Sequence, residues 1–220
     1  MPTDYPFKPF PGSSHLWALE QAQSLPGPLR VLDVGAGEGH VLRAVLAASG
    51  GEGCAVEPTH DGAPANGVTW RKDLEEVEGS YDLALALDVL EHVTDPAEFL
   101  SRIVARLRPG GTALVSVPNV AHWSMRAQLL AGRFEYAERG ILDRTHHRFF
   151  TRASLLELIR GAGLSVESTS ASVVPLELLL PEAVHDNPLW AVSRAVRRTL
   201  AGSWPTLLGF QLLVRARKPG

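Results

Sequence analysis

Three glycines at alternate positions, Gly35, Gly37 and Gly39, follow a short apolar run in "VLDVGAGEGH". Glycine permits a tight turn and a close approach of backbone to ligand, so this loop suits a nucleotide-like molecule held by amide groups beside a helix N-terminus. The spacing argues against two familiar alternatives. A dinucleotide fingerprint, G-x-G-x-x-G, requires glycine at position 40, where the chain has His40. A P-loop requires a lysine followed by serine or threonine, and none closes this loop. Further groups with chemical capacity are Asp33 inside the run, Glu57, Asp73 and Asp88 at later strand ends, and "DRTHHRFF" with Asp143, His146 and His147.

Short apolar runs alternating with helical patterns must position these groups, and that order predicts an α/β fold. It is a Rossmann-like, seven-stranded, mainly parallel sheet with helices on both faces and a helical insertion before the last strand. Strands are expected at 29–34, 53–57, 68–71, 81–87, 112–117, 164–174 and 207–217. A helix over about 38–48 should follow the glycine loop, stopped by Gly50-Gly51. Pro58 disfavours a helical Glu57, leaving that carboxylate at the strand's C-terminal end. In "TDPAEFLSRIVARLRPGG", Asp95 caps a helix, Pro96 suits its first position and Glu98 reaches back. Thr151 caps another helix through Arg160. In "NPLWAVSRAVRRTLAG", Leu189, Val192, Val196 and Leu200 recur at helical spacing with Arg194, Arg197 and Arg198 largely opposite, as on a packed helix with a solvated basic face. No repeat or linker appears, so 1–220 reads as one domain: an N-terminal lid (1–28), a ligand half (29–120) and a second half (121–220) holding the insertion at 176–201.

A chain of 220 residues that is 45% hydrophobic can bury a full core. Its net charge of −3 gives no overall footprint for nucleic acid, and none is expected as partner. Cys54, the single cysteine, cannot form an internal disulfide and reads as a core residue in "GCAVE". The N-terminus lacks an export signal, and no apolar stretch reaches the length of a spanning helix, so the expectation is a cytoplasmic protein without stable membrane insertion.

"VLDVGAGEGH", the acidic Glu57, "YDLALALDVLEHVTDP" and "LRPGGTALVSVPN" together resemble, in the expected order, the motifs of the class I S-adenosylmethionine (SAM)-dependent methyltransferases. "GILDRTHHRFFT" further resembles a subgroup of small bacterial methyltransferases linked to glycan or natural-product pathways. The resemblance implies SAM as cofactor and S-adenosylhomocysteine as product. It implies that Glu57 accepts the ribose hydroxyls, that Asp33 orients the glycine loop and the methionine ammonium, and that Asp73 contacts the adenine amine. Asp88 would face the cofactor side. Ala36, Leu74, Leu87 and His92 complete that set, although Glu91-His92 reads chiefly as the structural start of the capped helix.

Methyl transfer is an in-line displacement, so the protein must align donor and acceptor and take a proton from a hydroxyl nucleophile. On the acceptor side stand Asn119, His122, Trp123 and Arg148, with Tyr5, Phe7, His15 and Trp17 on the lid. His146 or His147 is the candidate base, with Asp143 beside them; in an extended run only one histidine points inward, and His146 is preferred. Asp143, His146 and His147 lack a convincing remaining ligand set, so no metal is expected. The acceptor is then a small molecule, methylated at oxygen or nitrogen of a sugar or natural-product intermediate, with a lipid or quinone acceptor left open by "VVPLELLLP" and the arginine helix. A homodimer also stays open. The competing readings are a SAM-binding regulatory or assembly subunit without catalysis and, last, a nicotinamide oxidoreductase.

Overall fold

The computed structural model describes residues 7, 8, 10–60, 67–178 and 187–220. Seven strands form one sheet: β1 Leu29–Val34, β2 Gly51–Val56, β3 Val68–Arg71, β4 Tyr81–Leu87, β5 Leu107–Pro118, β6 Ser165–Ala171 and β7 Gln211–Arg217. Their spatial order is β3-β2-β1-β4-β5-β7-β6. Every pairing is parallel except those of β7, which runs antiparallel to both β5 and β6. Strand order reverses between β1 and β4, and in an open α/β sheet the crevice at such a reversal, outside the carboxyl ends of the strands, is the ligand position.

Alternation along the strands builds two cores. Leu32, Val34, Cys54, Val56, Ala84, Ala86, Val115 and Val117 face one side, against Leu100 and Ile103 of α3 (Pro96–Arg106) and Leu155 and Ile159 of α5 (Arg152–Gly161). On the other side, Val31, Ala55, Leu83, Leu85 and Leu114 meet Ala18 and Ala22 of α1 (Ser14–Gln23) and Leu42 and Val45 of α2 (His40–Ser49). Cys54 is buried in the first of these cores.

Asp95 and Thr151 cap their helices as expected, whereas among the described residues the reach-back of Glu98 is not one of the bonds at the start of α3. The Asp95 carboxylate accepts from the Ala97 and Glu98 amides, and Thr151 forms a capping box with Ser154. Several boundaries differ from the sequence reading. The segment 1–28 holds α1, capped by Ser13 and packed on α2 and β4, because its small residues Ala18 and Ala22 fit against the sheet. β2 starts at Gly51 and β5 at Leu107, since Gly51 and Gly110-Gly111 extend the strands they were expected to precede. Residues 205–208 are a helical turn, started by Pro205, so β7 begins at Gln211 and not at 207.

Within the insertion, α6 (Pro188–Ser203) is capped by Asn187 as expected, but its expected apolar row is not buried, while Arg198 stays exposed as expected. Leu189, Val192, Val196 and Leu200 are exposed, Leu189 by 74%. Arg197 turns inward instead, paired with Glu177 at 3.0 Å, bonded to the Val174 carbonyl and lying over the Trp190 ring. Among the described residues, no helix is long and apolar enough to cross a membrane.

Candidate active site

The glycine loop joins β1 to α2, and its first two amides, of Gly35 and Ala36, both donate to the Val56 carbonyl at the end of β2. Gly35 and Gly37 have φ of +73° and +52°. A Cβ on Gly35 would lie 2.4 Å from Val89, so its missing side chain lets the loop close on the segment after β4. A Cβ on Gly37 would meet no protein atom within 4 Å; it faces open space above the loop. Gly39 packs edge-on to the Trp70 ring, which stacks on His60 at 3.5 Å, a wall that sequence reasoning missed.

Two carboxylates flank this cradle. Glu57, one residue beyond β2, accepts from the Gly37 amide at 3.0 Å through Oε2 and from the Thr59 amide and hydroxyl through Oε1. A carboxylate has about four lone-pair sites, so a diol placed here competes with Thr59 for Oε1. Asp33 is 4% exposed, and burial, with the Glu57 charge next, pushes its carboxyl up to about 7, while the Leu42 amide pulls the other way. Such a buried, half-neutral acid beneath a loop of amides fits a ligand that brings both a diol and a positive charge, as S-adenosylmethionine does.

A second cluster lies where the segments after β4 and before α5 meet. The backbone there is tied together: the His147 and Arg148 amides both donate to the Glu91 carbonyl, and Val120 donates to Phe150. Glu91 is 1% exposed, and neither carboxylate oxygen meets a hydrogen-bond partner among the described residues. Burial, then the Asp88 and Asp143 charges, raises its carboxyl well above the usual range. His146 is buried, its Nδ1 3.0 Å from the Ile141 carbonyl; burial lowers its pKa. His92 packs edge-on to His146, with ring centroids 4.8 Å apart. Phe149, Phe134 and Tyr136 form an aromatic wall beside it, Phe149 lying 6.3 Å from His146.

The other expected residues separate into groups. His147 is exposed, with His146 alone turned inward. Asp143 holds the Thr145 amide and hydroxyl and acts on His92 and His146 only through its charge. Asp88, expected to face the cofactor, has φ +55° and turns its carboxylate to the Ser116 hydroxyl and the Gln211 amide, because those polar groups are aligned on β5 and β7. Asp73 caps the following 3-10 turn and pairs with Arg102 on the surface, and Leu74 is core. Leu87 and Ala36 pack half-buried at the cleft side of the second core.

Asn119 is fully buried, its amide donating to the Thr206 and Gly209 carbonyls and its oxygen accepting from Ala121, which leaves it a scaffold role in place of substrate contact. Arg148 is bonded to the Thr94 carbonyl. His122 caps α4 (Trp123–Leu130) with a buried Nε2, while Trp123 is exposed. On α1, His15 is buried against Phe7 and accepts from the Lys8 amide; burial brings its pKa down to about 4. Trp17 packs on the second core, and Tyr5 lies outside the described residues. The residue that sequence reasoning undervalued is Glu91: an acidic group wedged between Leu90 and His92 directly after β4 was the available signal.

The reversal of strand order, the glycine cradle and the acidic end of β2 define a class I SAM-dependent methyltransferase fold. The chain belongs to a family described as a methyltransferase domain, whose model matches residues 16–169. A ubiquinone biosynthesis O-methyltransferase of Rhodopseudomonas palustris is 30% identical over 159 residues, 66% of this chain and 62% of that protein. The chain thus spans less than two thirds of this curated relative. The S-adenosylmethionine-dependent methyltransferase structure from Mesorhizobium loti aligns with a TM-score of 0.58 at 19% identity, covering 94% of this chain and 99% of the other. Haemonchus contortus phosphoethanolamine N-methyltransferase 2, solved with S-adenosyl-L-methionine, gives 0.61 at 17% identity over 94% and 52%. Neither relatives nor structures single out a glycan or natural-product subgroup.

Proposed function

We propose that this chain binds S-adenosylmethionine at the glycine cradle and methylates a hydroxyl of an apolar aromatic small molecule, of which a quinone precursor is the favoured class. The observation that carries the acceptor reading is the aromatic wall of Phe134, Tyr136 and Phe149 beside the buried His146. A flat apolar ring fits such a wall better than a sugar, which would need several hydrogen-bonding groups. The relative named as a ubiquinone biosynthesis O-methyltransferase supports the same class.

The bound cofactor supplies an electrophilic methyl group on a positively charged sulfur. Glu57 would hold the ribose hydroxyls and Asp33 the ammonium, while the Gly37 position leaves room for the ligand against the loop. Holding donor and acceptor in line is the larger part of the catalysis. The remaining task is to weaken the acceptor O–H bond, and this reading assigns it to Glu91, His92 and His146, whose donor atoms lie within 4.8 Å of one another. Incubating the protein with methyl-labelled S-adenosylmethionine and a catechol-type quinone precursor tests this. Labelled methyl ether should form, and His146→Ala should reduce its rate by about 10²–10⁴-fold. Transfer to sugars or amines in preference to the phenol would contradict the acceptor assignment.

A further inference from the structure

We infer that Glu91, His92 and His146 form a binding site for a divalent transition-metal ion, with zinc the best match. One donor atom from each of the three lies within 4.8 Å of the others. Two imidazoles and one carboxylate with an open position is a ligand set suited to zinc and its first-row neighbours. The site differs from the Asp143, His146, His147 set that the sequence suggested and left incomplete, because His147 faces solvent and Asp143 is engaged by Thr145.

The surroundings have the arrangement that holds metal-binding histidines in place. A ligating imidazole commonly gives its second ring nitrogen to a carbonyl or another polar partner, which fixes the tautomer and ring orientation. His146 Nδ1 lies 3.0 Å from the Ile141 carbonyl. His92 Nδ1 lies 3.1 Å from the Thr145 hydroxyl, which itself donates to Asp143 at 2.7 Å. Both histidines therefore present Nε2 as the free donor. Glu91 supplies the independent sign: its carboxyl is 1% exposed, and neither oxygen has a hydrogen-bond partner among the described residues. Buried polar atoms are nearly always paired, and a cation between the three side chains would satisfy this one. Zinc bonds of about 2.0–2.2 Å would draw the three donors closer than they now stand.

The role of the ion rests on the proposed hydroxyl methylation, whereas its binding does not. With a cation there, an acceptor hydroxyl at the open position is polarised. Its O–H bond breaks with the proton passing to water, the oxygen forms a bond to the methyl carbon, and the sulfur keeps the electron pair of the broken carbon–sulfur bond. His146 would act as ligand and not as base.

The test starts from full-length protein stripped with a chelator and titrated calorimetrically with zinc, with cobalt absorption as a second readout and S-adenosylhomocysteine binding measured on the same samples. One zinc per chain is expected, together with visible cobalt bands of a nitrogen and oxygen site. Glu91→Gln and His92→Ala should weaken zinc at least 100-fold while S-adenosylhomocysteine still binds, and His147→Ala should bind zinc as the wild type does. Absence of saturable zinc binding by folded wild-type protein, or equal affinity in wild type and Glu91→Gln, would overturn the site. Zinc bound normally by a protein that does not bind S-adenosylhomocysteine would support the site while removing the cofactor reading.

Discussion

Asp33 sits beneath the glycine loop with its carboxyl pushed up to about 7 by burial, against an ordinary value of 3.8. The folded state therefore binds a proton that the unfolded chain releases between pH 4 and 7. Stability contributed by this group is present below pH 4 and declines as the pH rises through that window. Asp33→Asn removes the titration, so its stability relative to wild type should improve from pH 5 to pH 8 by about 2–3 kcal/mol. Urea unfolding of both proteins at the two pH values measures this, and a constant difference would contradict it. His15 behaves oppositely: with its pKa brought down to about 4, its contribution is lost as pH falls below 6.5. Replacing it with a neutral residue such as glutamine should therefore flatten the acid limb of the stability curve. At this scale the loop glycines, Glu57 and the inward His146 were legible, because each follows from local spacing. Glu91 was not, since its meaning depends on the chain from Ile141 to Phe150 folding back over it, a contact more than 50 residues away.

Among the elements, the strands and caps were readable where local chemistry sets them: β1, β3 and β4 lie where alternation places them, and Asp95 and Thr151 cap as their types suggest. Elements decided by tertiary contact were not. α1 lacks a strong apolar stripe and gains its place from Ala18 and Ala22 against the sheet. The insertion helix α6 presents its apolar row outward because Arg197 is drawn in by Glu177 and Trp190. Asn119 shows how such contacts change a functional reading: it joins the end of β5 to the turn before β7. Asn119→Ala should cost about 1–3 kcal/mol of folding stability by leaving buried carbonyls unpaired, with the KM for an acceptor unchanged. A raised KM at unchanged stability would return Asn119 to the substrate pocket.

The whole molecule is closed by its last strand. β7 joins β5 to β6, Lys218 donates to the Val104 and Leu107 carbonyls at the end of α3, and Arg215 reaches Gln21, Ser24 and Glu167. N-terminal helix, sheet and C-terminal strand are thus one network, and unfolding should be a single transition seen alike by fluorescence and circular dichroism. S-adenosylhomocysteine at 100 times its Kd should stabilise that one transition by about 2.7 kcal/mol. Two separated transitions, only one of them shifted, would divide the chain into independent units. The central claim, that the cradle between β1 and β2 holds a nucleoside through its acidic end, is tested most directly by calorimetric titration of wild type and Glu57→Ala with S-adenosylhomocysteine. Saturable one-to-one binding that weakens at least tenfold in the variant is the predicted result; no binding by the wild type, or equal binding by both proteins, would contradict it.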